Sequence, residues 1–221
     1  MDNRLKMVAS LVPTSETIAD IGTDHALLAI YLIKKGIAKR VIASDVKLAP
    51  LKVGQENVIK NGAADFIELR LSFGFNEYKK GEFSAAVIAG MGGETIADII
   101  KCCPFLLDVP LVLQPMSCCD RLIEFLNNNG FEILKHEAVL SQKRIYNVLL
   151  CIKNGTKETD PIFNIVGKLD INNPLARQVL TKKLKSLKKA INGLLNADKK
   201  EELAKLKIMA EELEKRLLSN S

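Results

Sequence analysis

The feature that most constrains this chain is a change of rhythm near residue 131. Up to that point short apolar runs alternate with helical ones. Residues 17–21, 40–44, 66–71, 85–89 and 110–114 read as strands, and helices are expected over 26–35, 48–60, 94–101 and 120–129. An amphipathic opener carrying Leu5, Val8 and Leu11 precedes Pro13. Short, fully apolar strands separated by helices call for a parallel sheet covered on both faces. Residues 131–140 and 145–153 then read as strands with only Ser141-Gln142-Lys143-Arg144 between them. A parallel crossover needs a dozen residues or more, so these two strands form an antiparallel hairpin. The expected body, residues 1–153, is an α/β domain: a seven-strand sheet, mostly parallel, closed by a C-terminal antiparallel hairpin.

Residues 154–221 read as a linker, roughly 154–173, and a second unit. Asn172-Asn173-Pro174 is a helix start, with Asn as cap and Pro in the first turn. Leu180, Leu184, Leu187, Ile191 and Leu194 follow at coiled-coil spacing. A break at Asn196-Ala197-Asp198 leads to a second seam of Leu203, Leu206, Ala210, Leu213 and Leu217. Two seams joined by a short loop make an antiparallel coiled-coil hairpin. The net charge of +6 lies wholly beyond residue 150, the first 150 residues being balanced. Its densest part is Lys182, Lys183, Lys185, Lys188 and Lys189. A neutral body with a basic appendage is read as chemistry in one part and capture of a polyanion in the other, with a solvated helical face as the bland alternative.

A hydrophobic fraction of 48% excludes general disorder. No apolar run is long enough to span a bilayer, and Met1-Asp2-Asn3-Arg4 opens no secretory pattern. Five cysteines in a chain that needs no staples point to a reducing cytoplasm. Cys102-Cys103 and Cys118-Cys119 are vicinal pairs without zinc-ligand spacing, so they are read as small core fillers and no metal is expected. The oligomeric state stays open, with a monomer favoured.

In an open parallel sheet, ligands sit beyond the carboxyl ends of the strands. The first strand delivers Asp20-Ile21-Gly22-Thr23-Asp24-His25 there. A dinucleotide site needs several glycines for backbone approach to a pyrophosphate. This loop has one glycine and two carboxylates, which would repel a pyrophosphate but suit an ammonium and a sulfonium. S-adenosylmethionine is therefore expected over NAD. Asp45 ends the second strand, where a ribose-binding carboxylate belongs. Gly90-Met91-Gly92-Gly93 follows the fourth strand and allows close backbone approach to a ligand. The Asn/Asp-Pro-Pro-aromatic pattern used on exocyclic amines is missing there, which points to a ring-nitrogen acceptor.

A parallel sheet with a closing hairpin is the layout of class I methyltransferases, which are Rossmann-like. The stretches Asp20–Ala26, Ala43-Ser44-Asp45-Val46, Ile88–Glu94 and Leu113-Gln114-Pro115-Met116 resemble the TrmK family, bacterial tRNA (adenine(22)-N1)-methyltransferases, and the resemblance extends through the Lys-rich tail. It implies methylation of N1 of adenine-22, in the D-arm region of tRNA. It also implies a cofactor pocket formed by Asp20, Gly22, Thr23, Asp45, Phe73, Gly90 and Met91. Gly92, Gly93, Gln114, Pro115 and Met116 would face the target base, and the five lysines the RNA. The family's Gly-Asp-Gly after the third strand is Ser72-Phe73-Gly74 here, its Pro after the first motif is Ala29, and its Asn after Gln-Pro-Met gives way to Ser117-Cys118-Cys119. Phe73 and Phe75 are read as stacking on adenine or packing in the core. Asp24 is the expected catalytic carboxylate, stabilising charge that develops on the base, with His25 orienting it or packing beneath it. His136 is read as structural. A small-molecule methyltransferase with a dimerising tail, and a non-catalytic RNA-binding protein with a decayed cofactor site, are the alternatives.

Overall fold

The computed structural model describes residues 1–103, 105, 109–195 and 199–219. Its sheet is built from β1 (Ser15–Ile21), β2 (Ala38–Asp45), β3 (Ile67–Leu71), β4 (Ala85–Gly92), β5 (Leu111–Ser117), β6 (Phe131–Ser141) and β7 (Arg144–Lys153). The strand order is β3-β2-β1-β4-β5-β7-β6. The first five strands pair in parallel, and β7 pairs antiparallel with both β5 and β6. The last strand thus slots between its hairpin partner and the parallel part.

Helices α1 (Asn3–Leu11), α2 (Leu27–Lys34), α3 (Leu48–Lys60), α4 (Gly93–Lys101) and α5 (Cys119–Asn128) cover the two faces. Consecutive strand residues point to opposite faces. Val87 and Val112 accordingly join one apolar layer with Val8, Leu28 and Leu32. Ile88 and Leu113 join the other with Ile96, Leu122 and Leu126. Two filled layers explain why the parallel strands read as continuous apolar runs. Each such side chain contributes about 1.5–3 kcal/mol when removed from water.

Two strands run further than their apolar cores suggest. β4 reaches Gly92 and β5 reaches Ser117, because Gly90 (φ +82°) lets β4 bulge and pairing resumes at Met91 with Pro115. The glycine-rich run is a bulged strand end. β5 is paired to β7 only from Leu111 to Leu113, so Pro115 asks for no ladder bond on that side. Beyond Leu113 the two strands separate and leave a wedge in the sheet. At its outer lip the β6–β7 turn consists of Gln142 and Lys143, both left-handed (φ +47° and +66°).

The tail comprises α6 (Phe163–Val166), α7 (Pro174–Leu194) and α8 (Lys200–Ser219). The expected break at Asn196-Ala197-Asp198 lies outside the described residues. α7 and α8 run antiparallel, with Arg177 Nη2 donating to the Leu217 carbonyl at 2.6 Å and Lys188 pairing with Glu214 at 2.7 Å. Their seam (Leu180, Leu187, Ala210, Leu213, Leu217) closes over Ala138 of β6 and over Ile162, Ile165, Val166 and Leu169 of the linker. The linker is therefore packed: Asn127 brackets the Glu158 backbone with two hydrogen bonds, and Arg216 holds Asp160 at 2.7 and 2.9 Å. Of the cysteine pairs, Cys103 is buried and Cys119 half-buried, whereas Cys102 and Cys118 are exposed, so core filling accounts for only one member of each.

Candidate active site

The loop after β1 is held by main-chain bonds to its neighbour. Gly22 and Thr23 N–H both donate to the Ser44 carbonyl, at 2.8 and 2.9 Å. Gly22 is left-handed (φ +73°), a backbone state that favours glycine, and the end of the flexible Met91 side chain rests against its open side. Asp24 (φ +54°) and Ala26 (φ +58°) are also left-handed, an unfavourable state for residues with a Cβ that is tolerated where a site requires it. Asp45 caps this arrangement from the end of β2. Its carboxylate accepts from Lys47 N at 2.9 Å and, more weakly, from Asp24 N at 3.4 Å.

Asp20 lies at the floor, 3% exposed, and accepts from Thr23 Oγ1 at 2.7 Å. Burial pushes its carboxyl up from 3.8 to about 6; the Thr23 hydroxyl pulls the other way, and the nearby Asp45 charge adds to the rise. Among the described residues no cation pairs with this carboxylate: Arg4, which also lines the wall, bonds Gln114 and Asp2 instead, so Asp20 favours a cationic ligand. The cavity above it measures about 240 Å³ and is lined by Arg4, Asp20, Asp24, His25, Gly90 and Met116, among others. His25 Nδ1 is buried without a hydrogen-bond partner. Asp24 is 3.7 Å from it, beyond hydrogen-bond reach, and its side chain is 72% exposed. His25 thus makes no hydrogen bond to Asp24.

The other expected residues divide. Gly90 and Met116 line the cavity, whereas Gln114 is fully buried. Its Oε1 accepts from Arg4 Nη1 (2.5 Å) and Gly90 N (3.1 Å), and its Nε2 donates to the Pro115 carbonyl (2.8 Å). With these bonds made, Gln114 fixes the mouth and does not face a base. Gly93 likewise points elsewhere: a Cβ would meet the Cys118 carbonyl oxygen at 2.3 Å, so this glycine serves the packing of α4 on the β5–α5 corner. Gly92 lies near Ser117 Oγ. Phe73 is 64% exposed, just beyond Ser72, whose N–H donates to the Asp45 carbonyl at 3.0 Å. Phe75 packs in the core, stacked on Phe83 and edge-on to Tyr78. His136 is buried, bonded to Asn147 at 3.1 Å and pushed down to about 4 by burial, as a structural histidine should be.

The lysines of α7 separate by direction. Lys183 reaches Asp120 at the start of α5 (2.6 Å), and Lys188 reaches Glu214, while Lys182, Lys185 and Lys189 remain exposed. Arg4 is a site residue that the sequence reading passed over. Its signal was present: Arg4, Val8 and Leu11 share one helical face, so a cation heads an apolar stripe.

A sheet in this order, with an acidic loop after β1 and a carboxylate ending β2, defines a class I methyltransferase. A family model described as a methyltransferase domain matches residues 1–149. The tRNA (adenine(22)-N(1))-methyltransferase of Bacillus subtilis is 32% identical over 152 residues, which are 68% of this chain and 64% of that protein. The chain thus spans somewhat less than two thirds of that relative. A Mycoplasma genitalium chain provisionally named a tRNA methyltransferase is 30% identical over 69% of this chain and 70% of its own. The crystal structure of a Streptococcus pneumoniae protein described as a candidate tRNA (m1A22) methyltransferase superposes with a TM-score of 0.85 at 28% identity, covering 98% of this chain and 99% of that one. The same protein has been solved with S-adenosyl-L-methionine, with a TM-score of 0.82 over 97% of this chain and 98% of that one. The chain belongs to the methyltransferase-domain family and, within it, to the TrmK family.

Proposed function

We propose that this protein transfers a methyl group from S-adenosylmethionine to N1 of an adenine in tRNA, adenine-22 of the D-arm region. The observation that carries the reading is the buried Asp20 carboxylate beneath an acidic cavity of about 240 Å³. Its charge and depth suit an ammonium group. The tRNA substrate is supported by the names of the relatives and by the charge excess of the tail.

The cofactor would supply an electrophilic methyl group on its sulfonium: N1 attacks the methyl carbon in line, the C–N bond forming as the C–S bond breaks, and S-adenosylhomocysteine leaves as a neutral thioether while the positive charge passes to the base. The residues of the chain provide the rest. Asp45, held by Lys47 N and close to the loop, accepts hydrogen bonds from ribose hydroxyls. Gly22 and Gly90 let backbone approach the ligand, and Met91 closes the floor behind Gly22. Phe73, standing free beside the end of β2, offers an aromatic face to an adenine where the family has an acidic acceptor. Asp24 is the exposed carboxylate at the mouth and stabilises positive charge growing on the base. No general base is needed, because N1 carries an in-plane lone pair. Positioning and exclusion of water account for the rate. The N1 edge must be freed from the fold of the tRNA, so the base is turned out into the mouth. The reaction belongs in the cytoplasm.

Asp45→Ala is expected to weaken S-adenosylmethionine binding by roughly tenfold to more than a hundredfold, since charge-assisted hydrogen bonds contribute about 1.5–3 kcal/mol. Calorimetric titration checks this, and an unaltered affinity removes Asp45 from the pocket. Substrate and position are tested by incubating unmodified tRNA transcripts with protein and cofactor, then mapping by primer extension. A stop at position 22 is expected, lost when that adenine is replaced by guanine. Methylation elsewhere, or none, refutes the assignment.

A further inference from the structure

The wedge between β5 and β7 is a second cavity, about 670 Å³, that the cofactor pocket does not use. One wall is the end of β5, from Pro115 to the Cys118 corner. The other is the hairpin lip of Lys143, Arg144 and Tyr146, and α7 roofs it with Gln178 and Lys182. Three cations line it and no carboxylate does. Unlike Lys183 and Lys188, these three have no ion-pair partner among the described residues. Such a lining is suited to a polyanion.

The backbone carries the same message. Five non-glycine described residues are left-handed: Asp24, Ala26, Cys118, Gln142 and Lys143. The first two belong to the loop of the cofactor cavity, Cys118 and Lys143 line the wedge, and Gln142 precedes Lys143 in the turn at its lip. A two-residue hairpin turn of this kind prefers Asn-Gly. Gln142-Lys143 stands there instead, so a lysine occupies a position where glycine would be relaxed. Strain of this sort is characteristic of ligand clamps.

The two cavities also meet. Met116, 44% exposed, lines both. Arg4 lines the first, and its guanidinium carbon lies 5.9 Å above the ring of Tyr146, which lines the second. A chain seated in the wedge therefore leads straight to the mouth where the target base must enter.

We propose that this wedge seats the single-stranded RNA flanking the target nucleotide. Lys143, Arg144 and Lys182 take its phosphates, and Tyr146 with Arg4 forms the platform on which the base next to the target rests. Splayed RNA is commonly read by aromatic stacking beside a basic track. The inference rests on the tRNA reading above and adds where the strand runs: through the split in the sheet, with the outer face of α7 secondary.

The test is binding of a fluorescent, unmodified tRNA transcript, followed by anisotropy across a salt series. The triple variant Lys143→Gly, Arg144→Gln, Lys182→Gln is expected to lose affinity by tenfold or more. Its slope of log K against log salt should fall by about 2, at about 0.7 for each single-strand phosphate contact. S-adenosylmethionine binding should be unaltered, and Lys143→Gly alone should melt no lower than wild type because glycine relaxes the turn. Lys185→Gln with Lys189→Gln should shift affinity and slope less. Wild-type affinity and slope in the triple variant would overturn the proposal, as would a larger loss in the outer-face variant. Wild-type protein that binds the transcript without methylating it would instead refute the proposed activity, while the anisotropy comparison would still decide the route of the strand.

Discussion

Asp20→Asn is expected to make the cofactor-free protein more stable while sharply weakening its affinity for S-adenosylmethionine. The unfolded chain releases the Asp20 proton near 3.8, whereas the folded chain holds it to about 6. A carboxyl group whose proton is held more tightly when folded costs nothing below the lower value. Its cost grows as pH rises between the two and is complete above the upper one. At neutral pH that cost is about 3 kcal/mol. Asparagine keeps the shape and can still accept from the Thr23 hydroxyl, but it carries no charge to bury. The variant should melt several degrees higher than wild type at neutral pH, at about 2–4 °C per kcal/mol for a chain of this size, with the gain vanishing toward pH 4. Its cofactor affinity should fall about a hundredfold or more, because the ammonium loses its counter-charge. Wild-type affinity should itself weaken as pH falls below about 6, up to tenfold per unit. Scanning calorimetry and titration together decide the matter: a lower melting temperature, or undiminished binding, refutes the role given to Asp20.

Deletion of residues 172–221 is expected to leave a body that is insoluble or largely unfolded. The tail's seam is the cover of Ala138, Ile162, Ile165, Val166 and Leu169. Exposing a large apolar side chain costs about 1.5–3 kcal/mol, and a domain of this kind holds only about 5–15 kcal/mol in reserve. The deletion also strips Lys183 from Asp120 and Arg216 from Asp160. Soluble yield and circular dichroism melting check the expectation. A truncated body that melts with the full-length protein would show that the tail rests on the body without supporting it. Charge substitutions, which leave the seam intact, are accordingly the way to separate RNA capture from folding.

The sheet was legible because its signals are local. Thr17 to Ile21 and Ala85 to Ala89 are too apolar for a half-exposed strand, and a four-residue link cannot return a parallel one. The acidic loop after β1 and Asp45 were legible for the same reason, being fixed to strand ends by sheet geometry. What could not be read depends on partners far apart in the chain. Gln114 looks like a substrate contact until Arg4, 110 residues earlier, is seen to bond it. Lys183 looks like its neighbours until Asp120 is found beside it. The packed linker was hidden because Ile162 and Leu169 show no period of their own and take their burial from β6 and the hairpin. Gly93 carried no mark distinguishing close packing from ligand approach.

The slotting of β7 between β5 and β6 bears on how the chain is made. β5 is complete at Ser117, but the strand that covers its open edge ends only at Lys153. At ordinary translation speeds of 5–20 residues per second, Leu111, Val112 and Leu113 wait roughly 2–7 s with their main-chain groups unpaired. Within that interval β6 is made before β7, and it must not take the place reserved for β7. Because a bare apolar edge is a template for mispairing, the newborn chain passes through a vulnerable period on the ribosome that ends when the hairpin folds back into the gap.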